Sequence, residues 1–355
     1  MRNNLPFRAA FLLLTLGIAL AGQGCRRSAP ETGGTGLTPV TLQADWYPQP
    51  EHGGFFTALV KGYYKDERLD VTILPLGPYL SVEKQVSSGA AQFGMGSSDR
   101  TLEAIADGQP LIAIAATMQN NPQGVMVRKN SPIHSFQDLN GHTVAIKVGS
   151  TWWEYIEKRY QLNKVHEVPA MMNVANFVSD ADYVQQAFAT SEPYFAQKAG
   201  VETRVILISD AGYNPYRVTF TTRQFLAAHP DIVAKFVRAS IKGWREYLRD
   251  PAPAHAAISK LNPALTPDWM DFSWKAMRDG NFITGQDASG AEIGQMDPMR
   301  WQTMYQQLLD LQVITQKFDP SSAYTLQFVQ STATSQPTAT SQAIGTSGQQ
   351  ASHQN

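Results

Sequence analysis

The sequence predicts an α/β fold with largely parallel sheets, in which one β/α block is interrupted by a second and then completed by helices. Three observations carry this. Strand-like and helix-like segments alternate through residues 40–222. One run, Leu111–Met118, is apolar but for Thr117, as suits a strand buried on both faces. Beyond Thr222 the pattern turns chiefly helical.

Residues 40–44 read as the first strand. In the stretch that follows, Pro48 and Pro50 fix φ and forbid a regular element, so the chain turns in the open. Gly53 and Gly54 let the backbone approach something closely where a helix begins. From Phe55 the apolar residues recur at helical spacing through Leu59 and Tyr63, with Phe56 and Val60 beside them. Leu69–Leu74 is a strand, 80–88 a helix closed by Gly89, and 91–95 a strand running into Gly96-Ser97-Ser98-Asp99. There Ser98 or Asp99 caps a helix reaching Ala106. Residues 125–128 and 143–148 read as strands, the second ending at Gly149-Ser150-Thr151 before a helix at 152–160. Strands follow at 168–171 and 205–208, with helical stretches near 180–187 and 193–199. Residues 218–222 form a strand leading out, and 230–248, 253–261, 267–277 and 299–311 are helices. No repeat recurs at a fixed period.

The chain has 355 residues, 43% of them hydrophobic and 10% aromatic, enough for one large domain or two ordinary ones. A net charge of −1 gives no basic excess for nucleic acid. Residues 1–24 read as an export signal: Arg2 and Arg8 precede an apolar run at 9–21 that is short for a bilayer span. It ends at Cys25, the single cysteine, which has no partner for an internal disulfide. The pattern resembles a bacterial lipoprotein signal, which implies lipidation of Cys25 and a membrane tether, although Gln23 stands where such signals carry a small residue. Residues 25–39 form the linker from that lipid anchor, rich in Gly, Pro and Thr. Residues 331–355 carry no Asp, Glu, Lys or Arg and are expected to be disordered. The seven histidines show no paired ligand spacing, and HExxH and CxxC are absent, so no metal site, cofactor or catalytic set is expected.

Read in order, the segments DWYPQPEHGGFF, GYYKDERLDVTI, QFGMGSSD, SFQDLNGHTVAIKVGSTWWEY and TSEPYFAQKAG resemble the substrate-binding proteins of ABC importers. The nearest branch holds the thiamine-pyrimidine-precursor and sulfonate/nitrate binders, and the likeness spans residues 40–315. It implies a two-lobed periplasmic-binding-protein (Venus-flytrap) fold that closes on a ligand in its cleft. Lobe 1 would take 40–122 plus 222–330 and lobe 2 123–221, with crossings near 121–124 and 218–222. It further implies an exported protein of the periplasm or cell surface, partnered by a permease and its ATPase.

Cleft ligands are met by strand ends and helix starts. On lobe 1 these supply Trp46, Tyr47, Glu51, His52, Ser97 and Ser98; Trp46 offers a flat face for a planar ring, or else plugs the core. The serines serve a carbonyl or anion, or simply cap their helix. On lobe 2 the strand–glycine–hydroxyl–helix plan returns in Gly149, Ser150, Thr151 and Trp152; of the adjacent Trp152 and Trp153 only one need face the ligand. Glu192, fixed by Pro193, is the carboxylate suited to an aminopyrimidine edge, or else a surface acid near a helix start. Tyr213 and Asn214 would complete the wall. The stretch favours a planar aminated heterocycle such as the formylaminopyrimidine precursor of thiamine; riboflavin or a related flavin fits the same walls. An alkanesulfonate ranks third, because the motif loops supply only Arg100 and Lys147 as cations. Trp46, Pro48 and His52 also resemble the W-x-P-x-x-x-H pattern of eukaryotic thiamine-pyrimidine synthases, whose histidine is consumed as a donor. Those enzymes are intracellular and carry a cysteine cluster in their second half, where this chain has none, which favours a binding protein over an enzyme. A sensory lipoprotein on the same fold is the remaining alternative.

Overall fold

The computed structural model of this chain describes residues 36–77, 80–171 and 173–329. The expected signal, Cys25 and the tail at 331–355 lie outside the described residues. The described residues from Leu37 onward form one compact unit built on two five-stranded sheets.

The first sheet opens with β1 (Thr38–Gln43), α1 (Gly53–Val60), α2 (Tyr63–Asp66) and β2 (Leu69–Leu74). It continues through α3 (Val82–Ser87), β3 (Phe93–Ser97), α4 (Ser98–Ala106) and β4 (Leu111–Met118). The chain then crosses to a second sheet made by β5 (Gln123–Arg128), β6 (Thr143–Ile146), α5 (Thr151–Tyr160) and β7 (His166–Pro169). That sheet is completed by α6 (Ala175–Ser179), β8 (Val184–Phe188), α7 (Glu192–Lys198) and β9 (Thr203–Leu207). The return strand is β10 (Arg217–Thr222), followed by α8 (Arg223–Ala228) and α9 (Pro230–Arg249). Helices α10 (Ala252–Leu261), α11 (Pro267–Asp279) and α12 (Pro298–Asp310) follow.

The orders β2-β1-β3-β10-β4 and β7-β6-β8-β5-β9 repeat one pattern. In each sheet a single strand runs against its neighbours: β10 in the first, β5 in the second. The crossing explains this. A chain leaving the C-terminal end of β4 enters the other sheet at that sheet's C-terminal edge and must run away from it. Accordingly Gln123 starts β5 opposite Phe188 at the end of β8, and Arg217 starts β10 opposite Ser97 and Met118. The return therefore passes through residues 208–216. Residues 218–222, expected as a crossing, with 218–221 placed in the second lobe, lie inside the first sheet as β10.

One element differs in type from expectation. The stretch expected to be helical near 180–187 is β8, with the helix α6 just before it. Its Gln185-Gln186-Ala187 favour helix weakly, but β5 and β6 pair with it on both sides and the ladder outweighs that preference. Pro169 ends β7, which it can do because β7 is an edge strand. The β4 edge is covered rather than exposed: Ala116 exchanges backbone hydrogen bonds with Gly294 at 3.1 and 2.9 Å, and Thr325 donates to Ala113 at 2.9 Å.

The glycine pair has a packing role. A Cβ on Gly53 would stand 2.1 Å from the Tyr247 ring, one on Gly54 2.1 Å from Trp244, and one on Gly243 2.2 Å from the Gly54 carbonyl. What the backbone approaches there is α9, so the glycines let α1 lie flat on that helix and fix where the preceding residues sit.

Candidate functional site

Beyond β1 the backbone stays tied to β2 through Ala44 N–H to Leu74 O at 2.9 Å, and Asp45 follows. Trp46 and Tyr47 are 40% and 45% exposed and meet edge-to-face at 5.7 Å, leaving ring surface free. Pro50–His52 then form a short 3-10 turn ahead of α1. The turn does not display Glu51 and His52 in the open as expected; it buries them, at 7% and 0% exposure.

Each buried side chain keeps one atom without a partner. Thr190 Oγ1 donates to Glu51 Oε1 at 2.6 Å, while Glu51 Oε2 has no hydrogen bond. Burial raises the Glu51 carboxyl above its ordinary range. His52 Nε2 lies 2.9 Å from Asp45 Oδ1, and Nδ1 is unpartnered. Because a carboxylate only accepts, the proton belongs on Nε2 and Nδ1 presents a lone pair. Burial pushes His52 down to about 4. The Glu51 charge pulls the other way, while Asp45 also pairs with the Arg217 guanidinium, so its charge is already matched. Burial lowers Arg217 itself to about 10.

From the second sheet come Thr190 and Glu192. Glu192 is the first residue of α7, and its Oε2 accepts from Phe188 N–H at 2.7 Å. Burial raises its carboxyl, and the nearby Glu51 charge adds to that rise. Glu51 and Glu192 thus approach one another from opposite sheets, as like charges.

The turn after β6 is arranged differently. Gly149 is exposed at φ +72°, beside Val148 at 75% exposure. Ser150 Oγ donates back to Lys147 O at 2.6 Å, and Thr151 Oγ1 donates to Glu103 Oε1 of α4 at 2.9 Å. Burial raises Glu103 to about 7 against the opposing pull of Arg100. Trp152 and Trp153 are both buried; Trp153 Nε1 donates to Glu167, whereas Trp152 Nε1 has no partner.

The remaining expected residues are joined to structure. Ser98 Oγ accepts from Tyr216 N–H at 3.0 Å, tying α4 to the start of β10. Ser97 caps α4 through its backbone position, without a side-chain cap bond. Tyr213 is fully buried and donates to Asp99 at 2.9 Å. Asn214 bridges the two crossings: its Oδ1 accepts from Asn121 N–H at 2.9 Å and its Nδ2 donates to Asn120 at 3.0 Å. A void of about 10 Å³ lined by Ala115, Phe236, Trp244 and Gly294 is a packing gap in the first-sheet core, separate from these groups.

Residues 49–254 match the NMT1/THI5-like family. The chain belongs to that family. Among its relatives is the riboflavin-binding protein RibY of Chloroflexus aurantiacus, 23% identical over 82% of this chain and 86% of that protein. Another is the 4-amino-5-hydroxymethyl-2-methylpyrimidine phosphate synthase THI13 of Saccharomyces cerevisiae, 27% identical over 64% and 73%. A synthase of the same designation from Legionella pneumophila is 24% identical over 82% and 93%. The fold of this NMT1/THI5-like chain is that of periplasmic binding proteins. The aliphatic sulphonate binding protein SsuA from Escherichia coli superposes at a TM-score of 0.60, with 15% identity over 89% of this chain and 96% of that one. The nitrate-binding protein NrtA from Synechocystis PCC 6803 does so at 0.53, with 13% identity over 84% and 88%.

Sequence reasoning missed Asp45, Thr190, Glu103 and Arg217 as members of this constellation. Asp45 and Arg217 carried a signal, since each is a charged residue where an apolar strand meets its loop. Thr190 and Glu103 carried none; only the tertiary fold brings them to Glu51 and Thr151.

Proposed function

We propose that this chain is an exported solute-binding protein of an ABC importer, not an enzyme, and that it captures a small planar heterocycle bearing hydrogen-bond donors. The ligand enters between the two sheets, the sheets close on it, and the closed form docks on a permease. The observation that carries this reading is the Glu51–His52 pair. Two adjacent, buried side chains keep an acceptor oxygen and an acceptor nitrogen unpartnered, while Thr190 of the opposite sheet already holds Glu51. An unpartnered buried polar atom costs roughly 1–3 kcal/mol, and an amino-bearing ring edge offers the donors that relieve it. Trp46 and Tyr47 give the ring a flat surface nearby.

The local charge supports a donor-rich ligand over an anion. Asp45, Glu51, Glu103 and Glu192 outnumber Arg217, Arg100 and Lys147, and the two arginines are paired, with Asp45 and Glu103 respectively. A thiamine pyrimidine precursor is the favoured cargo. A flavin-type ring is the second reading, supported by the riboflavin-binding relative that matches over 82% of the chain. Trp46, Pro48 and His52 resemble the pattern of thiamine-pyrimidine synthases, but the single cysteine at position 25 leaves no cysteine cluster of the kind that resemblance implies.

Ligand-induced thermal shift of the purified chain tests this with formylaminopyrimidine, thiamine, riboflavin and taurine. A true ligand at a hundredfold excess over its dissociation constant stabilises by about 2.7 kcal/mol. The expected result is a shift with the pyrimidine or the flavin and none with taurine. A shift with taurine alone would reject the donor-rich heterocycle.

A further inference from the structure

Asp45, His52 and Arg217 form one linked chain beside Glu51. His52 Nε2–H donates to Asp45 Oδ1 at 2.9 Å, and the other Asp45 oxygen pairs with the Arg217 guanidinium. Arg217 is not on a loop that can withdraw. It is the first residue of β10, held on both sides opposite Ser97 and Met118 at the C-terminal ends of β3 and β4. Those strand ends belong to the cleft edge of the sheet. The Asp45 and Arg217 side chains keep 21% and 16% of their surface exposed, so a small molecule can touch both.

The chemistry of such a pair depends on its being complete. A guanidinium matched by a carboxylate presents almost no net field, whereas the same guanidinium left unmatched in a poorly solvated place strongly favours an anion. Arg217 has the planar fork that recognises sulfonate or carboxylate oxygens, and Asp45 occupies it. We propose, resting on the binding role set out above, that Asp45 is the charge-selecting residue of the cleft. By occupying Arg217 it refuses anionic solutes and admits neutral or cationic donor-bearing rings. A chain of the same fold with an uncharged residue at position 45 would accept sulfonates.

The test is calorimetric titration of the wild type, Asp45→Asn and Arg217→Gln with ethanesulfonate, formylaminopyrimidine and a protonated aminomethylpyrimidine. Asp45→Asn keeps an acceptor for His52 and frees Arg217, so ethanesulfonate affinity rises at least tenfold over the wild type. Arg217→Gln leaves Asp45 unmatched, so the protonated aminomethylpyrimidine tightens at least threefold. A folded Asp45→Asn with no gain for ethanesulfonate overturns the assignment. If Asp45→Asn fails to unfold cooperatively, Arg217→Gln decides, and unchanged affinity for the cation overturns it instead. A wild type that takes no heterocycle, beside an Asp45→Asn that takes ethanesulfonate, rejects the cargo reading and keeps this one. Heterocycle binding with no sulfonate gain does the reverse.

Discussion

The turn at residues 45–54, after β1, and the turn at residues 147–151, after β6, share a plan in which a strand ends, a glycine follows and a helix begins. In the first, Gly53 and Gly54 are pressed against Tyr247 and Trp244, and that contact drives Glu51 and His52 inward with atoms left unpartnered. In the second, Gly149 faces open space and both hydroxyls already have protein partners. The same local grammar therefore leaves buried polar atoms unpartnered in one place and ties both hydroxyls to protein partners in the other. What differs is the element behind it: α9 stands behind the first turn.

The sharpest way to break the comparison is to crowd each glycine. Gly54→Ala must displace Trp244 and is expected to cost about 3 kcal/mol or more, read as a fall in urea midpoint. Gly149→Ala meets no atom within 4 Å but holds φ at +72°, so about 1–2 kcal/mol is expected. Equal losses would mean that the close approach to α9 does not distinguish the turns.

The next contrast removes one hydroxyl on each side. Thr190→Val leaves both oxygens of a buried Glu51 unpartnered and is expected to cost roughly 1–3 kcal/mol. Thr151→Val leaves Glu103 its Arg100 partner at 2.9 Å, so the loss is nearer to about 1 kcal/mol. Thermal unfolding of both variants measures the difference, and a larger loss for Thr151→Val would invert the account.

The smallest effects are in pH, and they run in opposite directions. Glu103 is raised from 4.5 to about 7, so the stability it contributes is present below pH 4.5 and is lost as pH rises to about 7. His52 is lowered from 6.5 to about 4, so its contribution is present above pH 6.5 and is lost as pH falls to about 4. Glu103→Gln should remove the first slope and His52→Gln the second, followed by denaturation midpoint across pH 4 to 7. A Glu103→Gln curve superimposable on the wild type would deny the burial of that carboxyl.

Much of this fold was legible because periodicity and punctuation agreed. The largely apolar Leu111–Met118, the alternation of elements and the proline-led helices needed no tertiary knowledge. The β8 segment was not legible, since Gln185 and Gln186 read as helix until two neighbouring strands supply a ladder. The site was half legible. Glu51 and His52 stood out beside prolines and glycines, whereas Arg217 looked like an ordinary strand start and Thr190 like a loop hydroxyl. Their meaning arises from pairings across 139 residues for Glu51 with Thr190 and 172 positions for Asp45 with Arg217, which local pattern does not encode.

Calorimetric titration of the wild type, Glu51→Gln and Gly149→Ala with formylaminopyrimidine tests the central claim most directly. If the ligand's donors meet Glu51, losing one charge-assisted hydrogen bond of roughly 1.5–3 kcal/mol weakens Glu51→Gln by about tenfold to a hundredfold. Gly149→Ala should stay within about threefold of the wild type, since its turn contributes no unpartnered group. Wild-type binding that survives Glu51→Gln unchanged would contradict the account.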